Sequence, residues 1–183
     1  MMKKYTTKER ISAAGSLIAC IAICTGLFIR YGFTIDALLL CLAATALILI
    51  AVVDARTFII PDRYCAALAL IAVIRMITGN ISIKESFIGA ILCGGFLLLL
   101  YEISKGRVMG GGDVKLVAAM GLLLGAKLTI VGFVWGCIIG TVIHLFRMRF
   151  EGAGRELAMG PYLAAGFSLA MIMGDIYVKA ALY

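Results

Sequence analysis

Charged side chains are scarce in this sequence. Lys, Arg, Asp and Glu make up 15% of the 183 residues, hydrophobic types make up 63%, and the mean hydropathy is +1.10. So little charge cannot keep so much apolar surface in water, which excludes a soluble enzyme domain and leaves an integral membrane protein. Linkers rich in Pro, Gly and Ser are missing, as are low-complexity tracts and internal repeats, so the length suits one compact bundle. No C-x-x-C pair occurs among Cys20, Cys24, Cys41, Cys65, Cys93 and Cys137. These cysteines lie in apolar runs and read as small buried hydrophobes, so neither a metal nor another cofactor is expected. His144, the one histidine, is expected at the membrane interface. The net charge of +7 would suit a nucleic-acid binder, but the basic residues flank apolar segments, so the expectation is membrane topology and no nucleic-acid partner.

What is present is a series of apolar segments, at 11–29, 37–53, 64–78, 86–101, 113–124, 128–146 and 160–178. The expected fold class is therefore all-α, a polytopic transmembrane helix bundle of about seven segments. Segment 113–124 falls short of the ~20 residues that cross a bilayer upright, so it is expected as a short helix lining a site. Residues 1–183 form one domain in this reading, with 11–30 as an extra N-terminal helix and 37–183 as the core. The first segment follows Lys3, Lys4, Lys8 and Arg10 but lacks a small-residue cleavage pattern, so it is expected as an anchor rather than a removed signal. Between segments, Asp36 is placed in a loop, Pro61 is expected to end the second helix, and 79–85 is expected as a turn. Arg75, near the end of its segment, is expected to snorkel to the headgroups. Gly132, Gly136 and Gly140 recur every four residues, a stripe that lets another helix approach. With the N-terminus inside and seven crossings, twelve of the seventeen Lys and Arg fall on the cytoplasmic side, the orientation that the positive-inside rule favours.

A carboxylate at the edge of an apolar run is costly enough to suggest function. Two such residues stand out: Asp54, closing the second segment, and Asp113, opening the short one behind Gly110, Gly111 and Gly112. Both fall at the same membrane boundary. Two carboxylates brought together share one proton; one activates water while the other protonates a carbonyl oxygen, which is the chemistry of an aspartyl protease. The helix ends favour Asp113 as the anion and Asp54 as the proton holder. The glycines lack the G-K-[ST] ending of a phosphate loop; they are expected to reach positive φ and to let an extended substrate come close. Lys115 is either an inner-face anchor or a cation beside the aspartates, and Glu102 either a loop charge or a site for basic substrate residues.

Asp54-Ala-Arg-Thr-Phe-Ile-Ile-Pro-Asp62, Gly110-Gly-Gly-Asp113-Val-Lys-Leu and Gly160-Pro-Tyr-Leu-Ala-Ala-Gly166, in this order, resemble the prepilin peptidase family of GxGD aspartyl membrane proteases. The resemblance implies removal of the basic leader from type IV prepilins, pseudopilins or tight-adherence type small pilins at the cytoplasmic membrane face. It makes Asp54 and Asp113 the catalytic pair. Gly110, Gly111, Gly112 and Lys115 become the active-site loop, and Pro61, Asp62, Gly160 and Pro161 supporting residues, Asp62 as a contact for the leader. Larger members carry an N-terminal C-x-x-C region and also methylate the product; here only one extra helix stands in its place, so methylation is expected to be absent. Phe58 stands where many relatives have Gly, and Ala158-Met159 where Pro-Phe is usual. Oligomeric state is not legible. Two alternatives differ in pattern: a presenilin-like intramembrane protease would carry YD and PAL motifs, and a carrier or assembly scaffold would show repeated halves with broken helices.

Overall fold

The computed structural model describes residues 7–106, 109–151 and 158–182, with side chains from 14–106, 109–149 and 158–174. Arg107 and Val108 of the glycine loop, and the basic residues Lys3, Lys4 and Arg155, lie outside the described residues. Among the described residues all regular structure is helical: α1 (Thr7–Tyr31), α2 (Ile35–Thr57), α3 (Asp62–Ile77), α4 (Ile83–Gly89), a π-helical turn (Ala90–Gly94), α5 (Gly95–Ser104), α6 (Gly111–Glu151) and α7 (Gly160–Leu182). Four stretches are long and apolar enough to cross a membrane: residues 14–31, Ile35–Thr57, Ile83–Ser104 and Gly111–Arg149.

The longest helix is two rods rather than one. At Gly125 the backbone takes φ 77 and ψ 174, a conformation open to glycine alone, and the helix breaks. Thr129 Oγ1 then donates to the Met120 carbonyl at 3.0 Å. Residues nine apart along a straight helix would stand ~13 Å apart, so the chain must double back. The charge of Asp113 correspondingly reaches Cys137 on the returning arm. Segment 111–124 is thus a short helix, as its length had suggested, and arm 126–151 returns beside it. Counted as rods, with α4, the π turn and α5 as one, the described helices number seven.

Small residues let these rods pack closely. A Cβ on Gly132 would lie 2.6 Å from Phe167, and Gly136 and Gly140 face Leu163 and Tyr162, so the glycine stripe seats α7. Gly89 and Gly121 meet backbone to backbone, joining α4 to the short arm. Leu40, Leu47, Ile50, Leu68, Leu116, Met120, Leu163 and Phe167 fill the centre. α1 adds Leu27 to this core, and Tyr31 donates to the Met171 carbonyl at 3.2 Å.

Several expected boundaries move. Asp36 lies in the first turn of α2 behind the Thr34 N-cap rather than in a loop, because the Thr34 hydroxyl accepts from the Ala37 amide at 3.2 Å. At its other end α2 runs three residues past Asp54 and stops at Phe58, left-handed at φ 53, before Pro61 is reached. The turn expected at 79–85 is shorter, since α4 starts at Ile83. Arg75 does not snorkel: 7% exposed, it pairs with Asp36 at 2.6 Å inside the bundle.

Candidate active site

Four chain segments converge at one end of the bundle: the end of α2 with its turn into α3, the end of α5, the start of α6, and the residues leading into α7. Between them lies a cavity of about 820 Å³. Asp54 and Asp113 both line it, together with Pro61, Asp62, Gly110, Gly111, Gly112 and Lys115. Gly160 and Pro161, expected as supporting residues, are not in its wall, nor is Glu102.

Asp54 sits in the last turn of α2 and is 4% exposed. Its Oδ2 accepts a hydrogen bond from the Gly160 amide at 2.7 Å. That amide is one of the unpaired donors at the N-terminus of α7, so the start of one helix faces the carboxylate at the end of another. Expecting Asp54 to be the proton holder took only α2 into account; two helix ends of opposite sign act on it, and helix ends alone do not divide the roles. Gly160 has no room for a side chain, since a Cβ there would stand 2.7 Å from Asp54 Oδ2.

Asp113 lies in the first turn of α6, 8% exposed, close enough to Asp54 to feel its charge. The glycines before it do not use positive φ. Among the described residues, positive φ in this loop occurs at Lys105 and Gly106, where α5 ends. Instead they allow close approach: a Cβ on Gly112 would stand 2.9 Å from that of Ile60, and one on Gly110 would stand 3.3 Å from the Asp113 carboxylate. Gly111 packs beside the Tyr101 ring. The expectation of left-handed backbone at Gly110 to Gly112 is therefore replaced by close packing, of Gly112 against the α2–α3 turn, Gly111 against α5 and Gly110 against Asp113.

At the cavity mouth Lys115 Nζ donates to Asp62 Oδ1 at 2.7 Å, with side chains 58% and 73% exposed. Lys115 thus pairs with Asp62. Pro61 precedes α3 and shapes the turn, while Pro161 occupies the first turn of α7 and faces a smaller cavity of about 520 Å³ between α1, α2 and α7. Phe58, Tyr101, Ala158 and Met159 complete the main wall. Sequence reasoning had no role for Tyr101 or Ile60; their only signal was nearness to the flagged motifs. Among the described residues no cluster of His, Cys, Asp and Glu is arranged to hold a metal ion. Two carboxylates facing one cavity can share a proton and polarise water between them.

The family model for the type IV leader peptidase family matches residues 41–145, a stretch holding both aspartates and the glycine loop. The chain belongs to the type IV leader peptidase family. It is 31% identical over 177 residues to a prepilin leader peptidase/N-methyltransferase of Bacillus subtilis, covering 93% of this chain and 70% of that protein. Proteins of the same name from Legionella pneumophila and Pectobacterium carotovorum are each 30% identical, over 82% and 69% of this chain. The leader peptidase family member described here spans 55% and 48% of those two relatives. No solved structure matches it.

Proposed function

We propose that this leader peptidase family member is a membrane aspartic endopeptidase that removes the basic leader from type IV prepilins, pseudopilins or small pilins of the tight-adherence type. The observation carrying the proposal is that Asp54 and Asp113, from helices far apart in sequence, are buried in the wall of one cavity. In the proposed reaction a water between them loses a proton to the ionised carboxylate and attacks the scissile carbonyl carbon. The protonated carboxyl gives its proton to the carbonyl oxygen, forming a tetrahedral diol. Collapse of that intermediate breaks the C–N bond, and the amine leaves with a proton from the pair. The two groups titrate together, so a pH profile reports the pair. The cavity of about 820 Å³ gives room for an extended segment against the aspartates.

The substrate class comes from the family, whose relatives are named prepilin leader peptidases. In the proposed complex a leader rich in Lys and Arg meets the open mouth at Asp62, displacing Lys115, its present counter-ion. The excess of Lys and Arg at this end of the bundle supports a cytoplasmic site, with the N-terminus on the same side. In this reading cleavage occurs at the inner face of the cell membrane, with the lipid bilayer as the second partner of a multi-pass membrane protein. The N-methyltransferase activity in the relatives' names belongs to longer proteins, and the present proposal concerns the peptidase step.

Co-expression with a prepilin from the same genome tests it, with leader removal scored by gel shift and N-terminal sequencing. Wild type is expected to cut, and Asp54→Ala and Asp113→Ala to leave the precursor intact. Cleavage by both variants would overturn the aspartic assignment. An uncut precursor with wild type, across the prepilins of that genome, would favour a scaffold.

A further inference from the structure

Far from the cavity, where α2 begins and α3 ends, a second polar cluster is buried in the bundle. Apart from Asp54 and Asp113, Arg75 is the one charged residue in the buried class among the described residues. Its guanidinium makes two bonds to Asp36, Nε to Oδ1 at 2.6 Å and Nη2 to Oδ2 at 3.0 Å. The remaining nitrogen, Nη1, donates to the Leu123 carbonyl at 2.5 Å. The two side chains are only 8% and 14% exposed. A charge pair buried inside the bundle is not a stabilising device in itself, so its presence points to a specific task.

The place of Leu123 supplies one. The arm carrying Asp113 ends at Gly125, where the reversal leaves helix-end carbonyls without their i+4 amides. Thr129 takes the carbonyl of Met120, and Arg75 takes that of Leu123. Asp36 opens the helix that Asp54 closes, and Leu123 stands at the far end of the arm that Asp113 opens. Along these rods Asp36 is ~27 Å from Asp54, and Leu123 is ~15 Å from Asp113. Both are stiff helices, so a joint at one end governs the placement of the other.

We infer that Arg75, held by Asp36, is a positioning residue that ties the turn end of the Asp113 arm to α2 and so sets how Asp113 faces Asp54. This rests on the reading of Asp54 and Asp113 as the reacting pair. Only a planar fork reaches both partners: a lysine ammonium at this position would keep the charge and lose the second direction of bonding.

Two variants separate positioning from mere folding. Arg75→Lys keeps the charge pair, and Asp36→Asn with Arg75→Met removes both charges and leaves neither orphaned. Each is expected to reach the membrane and to lower kcat for leader removal roughly ten- to a hundredfold, with KM within about twofold. In parallel, spin labels at Thr57→Cys and Lys115→Cys, with the six native cysteines changed to Ala, report the distance between the two helices at the site. Its distribution should broaden or shift in both variants. An unchanged distribution, or wild-type kcat in the double variant, overturns the inference. Should the double variant not insert, Arg75→Lys carries the test alone. Absence of cleavage by the wild type would sink the functional reading while leaving the spin-label measurement to decide the tie.

Discussion

The Gly160 amide donates to Asp54 Oδ2 at 2.7 Å, joining the start of α7 to the end of α2 across 106 residues of chain. The same contact leaves no space at Gly160, where a Cβ would lie 2.8 Å from the Cβ of Asp54. Gly160→Ala is therefore expected to displace the carboxylate while α7, whose remaining contacts are untouched, stays helical. Misplacement by about 1 Å costs on the order of a hundredfold in rate, so single-turnover cleavage should fall by that much with membrane levels unchanged. Wild-type cleavage by the alanine variant would show that Asp54 needs no such fit.

If the two aspartates act as one unit, their losses do not add. Asp54→Asn and Asp113→Asn should each remove measurable leader cleavage, and the double variant should be no worse than either single. Residual activity in one single variant, lost in the double, would argue for separate roles. Quantitative precursor-to-product ratios in isolated membranes make the comparison.

Two backbone positions should respond with opposite signs. Phe58 takes a left-handed conformation that costs a residue with a Cβ about 1 kcal/mol, and its side chain is 56% exposed. Phe58→Gly should raise stability by about that amount. Gly125 holds a conformation essentially restricted to glycine, so Gly125→Ala should lower stability by about 1–3 kcal/mol. Thermal unfolding in a mild detergent reads both, and a fall in Tm for Phe58→Gly would mean that the contacts of its ring in the cavity wall outweigh the backbone gain.

Asp62 and Lys115 form an open ion pair, which holds the fold only weakly. Asp62→Asn should leave the unfolding temperature where it is and raise KM severalfold for substrates with a basic leader, with kcat little altered. Higher salt should narrow the difference between the two proteins, since exposed charges are screened. An unchanged KM at low salt would remove Asp62 from substrate recognition.

The sequence by itself determined the helical membrane class and the short arm before Gly125, and it singled out the two aspartates that meet at one cavity. Burial of charge in an apolar run is so costly that the exceptions can be read residue by residue, and a segment too short to span is visible in its length. Packing of Gly132, Gly136 and Gly140 was legible for the same local reason: four-residue spacing places them on one helix face. Only the tertiary structure decided what those residues meet. That Asp54 faces the amide of Gly160, that Arg75 turns inward to Asp36 and Leu123, and that Gly112 serves contact with Ile60 depend on how separate rods cross. Local sequence sets which face of a helix is small, apolar or charged, but a cation at a segment end can satisfy itself with headgroups or with a carboxylate 39 residues upstream. Which occurs is settled when all the helices pack at once.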